Sequence, residues 1–276
     1  MPKQKHHSLL WALHHRERNI TSYLFGTMHV KDKRAFAFFE QACQFMDTCE
    51  ALALEYDLGS VGDDTHELLL QHTSGPSLES LLPERKLEKM RRFLQRSIGI
   101  DIHPLRHLPP MLVSNLINER LLEEDYPAAL DEELYRHATA RNQAVLGIES
   151  YEEQLAVLLE IPPQVHTQAL LSQVRNLPAH RRTLLRLAQL YATGNLPQLH
   201  QTSKRNLSVT RQLLLYNRNY HMAAGIDFYA ETLPIFAAVG AAHLYGGKGL
   251  LRLLKHRGYR VTPIAPGSLP GPASAT

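Results

Sequence analysis

Apolar residues near both ends of the chain fall in short strand-like runs, whereas much of the middle repeats them at three- and four-residue intervals. Residues 9–13 and 22–30 predict two strands joined by a polar turn, a hairpin. Residues 35–48 predict a helix, with Phe36, Phe39, Cys43 and Met46 at helical spacing. The run 51–57, ALALEYD, predicts a short apolar strand interrupted by Glu55. A helical region from about 64 to 124 follows, broken at Gly75-Pro76, Pro83, Pro104 and Pro109-Pro110. Next come a helix over 130–141, a strand over 144–148 that ends at Glu149, and a mostly helical stretch from 151 to about 194. The last third predicts one long helix over 206–232, a strand over 235–243, a basic helix over 249–257 closed by Gly258, and a strand over 259–264. The tail 265–276 is small, polar and rich in Pro and Gly, which predicts disorder. The expected architecture is one α/β domain over 8–264: a central mixed β-sheet flanked by helices, with helical insertions at about 60–125 and 155–205.

Composition narrows the function. At 276 residues, 44% hydrophobic and 21% charged, the chain has an ordinary globular make-up and room for a buried core. Its net charge is +3, from 30 basic and 27 acidic residues. The densest basic clusters, His180-Arg181-Arg182 with Arg186 and Lys204-Arg205 with Arg211, fall in helical patterns and read as solvated faces. No nucleic-acid partner is expected. Cys43 and Cys49 are six residues apart, too poorly placed for a disulfide within one helix, and no C-x-x-C occurs, which fits a reducing compartment. The apolar stretch 9–13 is too short for a signal sequence, and no run has the length of a membrane span, so the expectation is a cytoplasmic protein.

Two Gly-x-x-His elements, Gly26-Thr27-Met28-His29 and Gly240-Ala241-Ala242-His243, each follow a strand-like run. With Glu55 and Glu149 they make four strands that end, or nearly end, in a residue able to bind metal or move protons. In open α/β sheets the ligand crevice lies beyond the carboxyl ends of the strands. Two imidazoles and two carboxylates there would suit a divalent ion such as Zn²⁺, Mn²⁺, Co²⁺ or Fe²⁺, with one carboxylate serving as general base. A hydrogen-bonded structural role is the alternative for each residue, but the apolar flanks of Glu55 and Glu149 make those two awkward to bury without a partner. Other patterns fail. Gly246-Gly247-Lys248-Gly249 lacks the Walker spacing, and neither a Gly-x-Ser-x-Gly elbow nor a His-Glu-x-x-His helix occurs. The adjacent pairs His6-His7 and His14-His15 read as solvent-facing.

Three ordered blocks carry a resemblance. LLWALHHRERNITSYLFGTMHVKD with ALALEYDL, then LDEELYRHATARNQAVLGIESYEEQL, then LYNRNYHMAAGIDFYAETLPIFAAVGAAHLYGGKGLLRLLKHRGYRVTPI resemble the TraB/GumN family, which includes the Tiki proteases. The likeness runs from Leu9 to about Ile264 and is looser around 60–125 and 155–205. It implies a fold similar to the erythromycin-esterase and ChaN-like group, and a metal-dependent hydrolase, a peptidase, acting on a peptide or small-molecule substrate. By position it implies His29 and His243 as metal or catalytic histidines, and Glu55 and Glu149 as the acids. Arg218 would clamp a substrate carboxylate or stabilise an oxyanion, or else pair with Glu55 or Glu149. Asp131 and Gln154 also match, with a helix cap and a packing role as sufficient explanations. Two further readings stay open: a metal-independent esterase-like hydrolase with His29 as base, and an iron- or haem-binding module of ChaN type. Many members carry a signal peptide or membrane anchor, and the N-terminus here departs from them.

Overall fold

Six strands form one sheet in the order β4-β3-β5-β2-β1-β6. They are β1 (Leu10–His15), β2 (Thr21–Thr27), β3 (Ala51–Leu54), β4 (Ala144–Gly147), β5 (Ile235–Gly240) and β6 (Tyr259–Pro263). The computed structural model describes residues 8–60, 75–207 and 210–271. The predicted hairpin is present, β1 and β2 pairing antiparallel from Leu10↔Phe25 to His14↔Thr21. The pairs β2–β5, β3–β5 and β3–β4 are all parallel, and β6 runs antiparallel to β1. The sheet is therefore mixed, and the carboxyl ends of β2, β3, β4 and β5 share one edge. Continuous apolar runs explain the middle: every residue of β3 is buried, as is β5 up to Val239, as expected of parallel strands covered on both faces.

The described residues contain eleven α-helices. They are α1 (Phe39–Met46), α2 (Leu78–Leu81), α3 (Glu84–Ile98), α4 (Pro110–Leu121), α5 (Leu130–Ala140), α6 (Tyr151–Leu159), α7 (Pro163–Arg175), α8 (Leu177–Ala192), α9 (Leu196–Leu207), α10 (Arg218–Ala230) and α11 (Leu250–His256). The chain separates into two compact units. One comprises residues 1–60, 124–154 and 187–276 and holds the sheet. Its core includes Leu24, Phe25, Leu52, Phe236, Met222 and Ile226, each fully buried. The other comprises residues 61–123 and 155–186 and has its own core around Leu78, Leu94, Val113, Ile117 and Leu170.

Several sequence expectations change; β2 stops at Thr27 and β3 at Leu54, each three residues short of its expected end. The helix over 35–48 splits into a 3-10 turn, Lys33–Phe36, and α1; Asp32 caps the turn by accepting from Arg34 N. The single helix over 206–232 is replaced by α9, a π-helical turn (Gln212–Asn217) and α10. A π turn widens the helix by one residue and re-aims the side chains beyond it, here Arg218 and Asn219. The strand over 235–243 stops at Gly240, and Ala241–His243 turn away as a 3-10 segment. His14 and His15 are not simply solvent-facing, because β6 pairs alongside them: His14 Nδ1 lies 2.9 Å from Thr21 Oγ1, and the His15 ring packs edge-on against Tyr259.

Both cysteines are free, Cys43 in α1 and Cys49 beyond its end. The start of the tail is held by Gln41, whose Nε2 donates to the carbonyls of Ala265 (2.8 Å) and Ser268 (2.9 Å). His6-His7, the 64–74 part of the helical expectation and the end of the tail lie outside the described residues. Among the described residues no helix is long and apolar enough to cross a membrane.

Candidate functional site

The parallel ladder carries the two acids to one edge and continues past the strands themselves. Ile148 N donates to Leu54 O and Glu149 N to Glu55 O, both at 2.8 Å, so the residues after β3 and β4 stay side by side. Arg218, the first residue of α10, bridges them. Its Nη2 lies 2.6 Å from Glu55 Oε2 and 2.6 Å from Glu149 Oε2, and its Nε donates to Glu149 Oε2 at 3.0 Å. Gln154 Nε2 reaches the same two oxygens at 3.5 and 3.3 Å. The backbone N–H of Gly240 donates to Glu55 Oε1 at 2.8 Å.

This environment pushes the two carboxyls apart. Burial acts to raise Glu55, but His243, Arg218 and the Gly240 amide outweigh it and hold the group down at about 2. At Glu149 burial wins: it raises the carboxyl despite Arg218 and Gln154, and the charge on Glu55 adds to the rise. Burial likewise lowers the His243 imidazole to about 4, which leaves it neutral at pH 7. With that ring neutral, Arg218 and the Gly240 amide are what keep Glu55 ionised. One guanidinium facing two carboxylates leaves the site short of positive charge.

The 3-10 turn after β5 presents His243 Nε2 to Glu55 Oε1 at 3.9 Å. Its Nδ1 meets Asn219 Oδ1 at 2.6 Å, and Asn219 Nδ2 donates to Lys248 O at 2.7 Å. The Lys248 carbonyl fixes which end of the amide is oxygen, so Nδ1 of His243 carries the proton and Nε2 the lone pair. His29, just past β2, is arranged the same way: its Nδ1 faces Asp131 Oδ2 at 3.1 Å. It is the more open of the two, 59% exposed against 8% for His243. His29, Asp131, Glu55, Tyr56, Thr27 and Gly240 line one cleft of about 220 Å³.

Both motif glycines make close approaches. A Cβ on Gly26 would stand 3.1 Å from Ala241 Cα and 3.0 Å from Leu244 Cδ2. One on Gly240 would stand 3.2 Å from Glu55 Oε1.

The structure thus joins Glu55, Glu149, Arg218 and His243 in one network and puts His29 in the cleft beside Glu55. The atoms do not converge on a point as they stand. Among the described residues no three of His29, Glu55, Glu149 and His243 offer ligand atoms within 4.8 Å of one another. Arg218 is ion-paired with both acids. Asp131 is not the helix cap, since Ala129 holds that position, and Gln154 does more than pack. Asn219 was missed, although a signal existed: it shares the apolar stripe of Leu215, Met222, Ala223 and Ile226, where a buried amide needs a partner.

Two carboxyls shifted in opposite directions, with two histidines each bonded through Nδ1 to a side-chain oxygen, thus gather at the parallel strand ends of an α/β protein. The sequence profile of the TraB/PrgY/gumN family matches residues 9–263, and the chain belongs to that family. It is also similar to a protein named metalloprotease TIKI2 from Danio rerio, at 25% identity over 322 aligned positions covering 94% of this chain. The chain spans 61% of that relative's length. No solved structure matches the chain.

Proposed function

We propose that the chain is a metal-dependent hydrolase that cleaves peptide bonds. The observation that carries this reading is the matched treatment of His29 and His243: each has its Nδ1 committed to a side-chain oxygen, leaving Nε2 as the basic nitrogen. Histidines that ligate metals are oriented in this way. The donor set fits a divalent cation, since two neutral imidazoles and two carboxylates with one guanidinium between them favour an added positive charge. The similarity to a protein named a metalloprotease supports the same reading.

His29, His243 and Glu55 would hold the ion, with Glu149 as the carboxylate beside it; when bound, the ion supplies a Lewis acid and a water of lowered pKa. Asn219 and Asp131 keep the imidazoles in their tautomers. Arg218 keeps Glu55 ionised and presents a planar cation beside the reacting carbonyl, where it stabilises developing oxyanion charge. Glu149, the more basic of the two acids, takes the proton of the attacking water and returns it to the leaving amine. Its Oε1, which among the described residues meets only Arg218 Nε, at 3.4 Å, is the oxygen for that transfer.

The test is hydrolysis of a fluorogenic peptide library by tag-free protein, with its metal content measured on the same sample. Glu149→Gln is expected to lower kcat by about 10² or more while the protein stays folded. Activity that survives in this variant or in metal-stripped protein refutes the mechanism. One observation favours a second reading: the solvent-open His29–Asp131 pair has the geometry of a base with its orienting carboxylate. In that case esters are hydrolysed with no stoichiometric metal, and His29→Gln abolishes the reaction.

A further inference from the structure

Thr27 and Gly240 border a second hollow, of about 180 Å³, as well as the cleft that contains Glu55. Met28, Leu187, Tyr191 and Leu199 supply its apolar lining, with the backbone of residues 241–242, the His243 side chain and Ser203 completing it. No Asp, Glu, Lys or Arg is among the described lining residues.

Three of its polar groups are already engaged. Tyr191 donates its hydroxyl to Gly26 O at 2.7 Å and so offers the hollow only its ring. The Ala242 carbonyl has His200 Nδ1 at 3.2 Å, and His243 Nδ1 is bonded to Asn219. A charged group placed here would lose its water and meet no opposite charge among the described lining residues, whereas an apolar group loses nothing. The space exceeds the roughly 150 Å³ apolar cavity that accepts a benzene molecule. Met28 gives one wall the adaptability of an unbranched thioether.

Continuity with the site fixes what belongs there. The His243 side chain lines the hollow, while its Nε2 lies 3.9 Å from Glu55 Oε1. Consecutive Cα atoms are only about 3.8 Å apart, so a side chain seated in the hollow brings its own residue's peptide group to the carboxylates. We infer that this hollow is a specificity pocket, which receives an apolar side chain of leucine or methionine size from the residue adjoining the bond cleaved at Glu55 and Glu149. The substrate is then a peptide with a medium-sized apolar residue at that position, an inference that rests on the peptidase reading above.

Two measurements test it together. In the first, peptides differing only at the residue beside the cleaved bond (Gly, Ala, Leu, Met, Asp) are compared by kcat/KM. Leu and Met are expected to exceed Gly by about tenfold or more, and Asp to be rejected. Leu187→Trp and Ser203→Phe, both at half-buried positions where bulk can be added, are expected to shrink the Leu-to-Gly ratio. Equal rates for Leu and Gly, or a ratio unchanged in both folded variants, overturn the pocket.

The second measurement needs no turnover. In protein labelled with [¹³C-methyl]methionine, the Met28 methyl resonance is followed during titration with N-acetyl-leucinamide or N-acetyl-glycinamide. It is expected to move with the leucine derivative alone, and to stop moving in Leu187→Trp. A moving Met28 in a protein that cleaves no peptide sinks the hydrolase reading and leaves the pocket standing. Cleavage of peptides with Met28 unmoved does the reverse.

Discussion

His243 Nδ1 and Asn219 Oδ1 lie 2.6 Å apart, and the amide is itself fixed by the carbonyl of Lys248. A residue on the turn after β5 thus has its tautomer set by a helix that begins with the π-shifted Arg218. The same helix end holds the partner of both acids, so imidazole and carboxylates are positioned by two consecutive residues.

Asn219→Ala should therefore leave a buried N–H with no acceptor. The expected cost is about 1–3 kcal/mol of stability, seen as a lower midpoint in urea unfolding. Nitrogen NMR of the His243 ring should also show loss of the single Nδ1–H tautomer. An unchanged tautomer in the variant would mean that another group orients the ring.

The motif glycines should separate fold from site. In Gly26→Ala the new methyl meets the Cα of Ala241, which cannot swing aside, and an overpacking penalty of about 1–3 kcal/mol is expected. In Gly240→Ala it meets a carboxylate oxygen of Glu55, so the acid shifts while the strand stays. Thermal melts should rank Gly26→Ala as the less stable of the two. Activity or metal content should suffer in Gly240→Ala even where the melt changes little.

Arg218→Met removes the only cation bonded to Glu55 or Glu149 among the described residues. Two largely buried carboxylates left facing each other should cost about 3–5 kcal/mol near neutral pH. Glu149 is already raised by burial and loses the guanidinium that opposed the rise, so its folded-state pKa lies further above the unfolded one, the folded state binds more protons, and stability rises as pH falls through that window. Urea midpoints measured from pH 7 down to pH 5 should show the variant recovering relative to wild type.

Asp227 gives the opposite sign. Burial acts to raise its carboxyl, but hydrogen bonds from Tyr259, Arg257 and Arg18 outweigh this and lower it below its ordinary 3.8. Its contribution is complete above that ordinary value and is lost as pH falls through the depressed one. Wild type should be more stable than Asp227→Asn at pH 6, with the gap closing as the pH drops below 3.8. A gap that stays constant to low pH would show that these bonds do not depend on the charge of Asp227.

The candidate site residues were legible because their signals are local. Glu55 stands out within ALALEYD, Glu149 after AVLGI, and each histidine three residues beyond a glycine. Burial of strands on both faces writes continuous apolar runs into the sequence, so a charge at their ends is conspicuous. Arg218 was singled out as well, but only its contacts show that it pairs with both acids at once.

What the sequence determined by itself was the α/β class, the strands and the short list of acids and histidines. Tertiary structure alone decided that β3 lies between β4 and β5, and hence that Glu55 sits beside Glu149 with the Gly240 amide at its other oxygen. It also ended β5 at Gly240 and placed a π turn before Arg218, against simpler patterns that predicted a longer strand and one unbroken helix. The reason is physical. Hydrophobic periodicity reports which side of an element is buried, whereas the partner of a buried charge is set by strand order and by contacts between residues far apart in the chain.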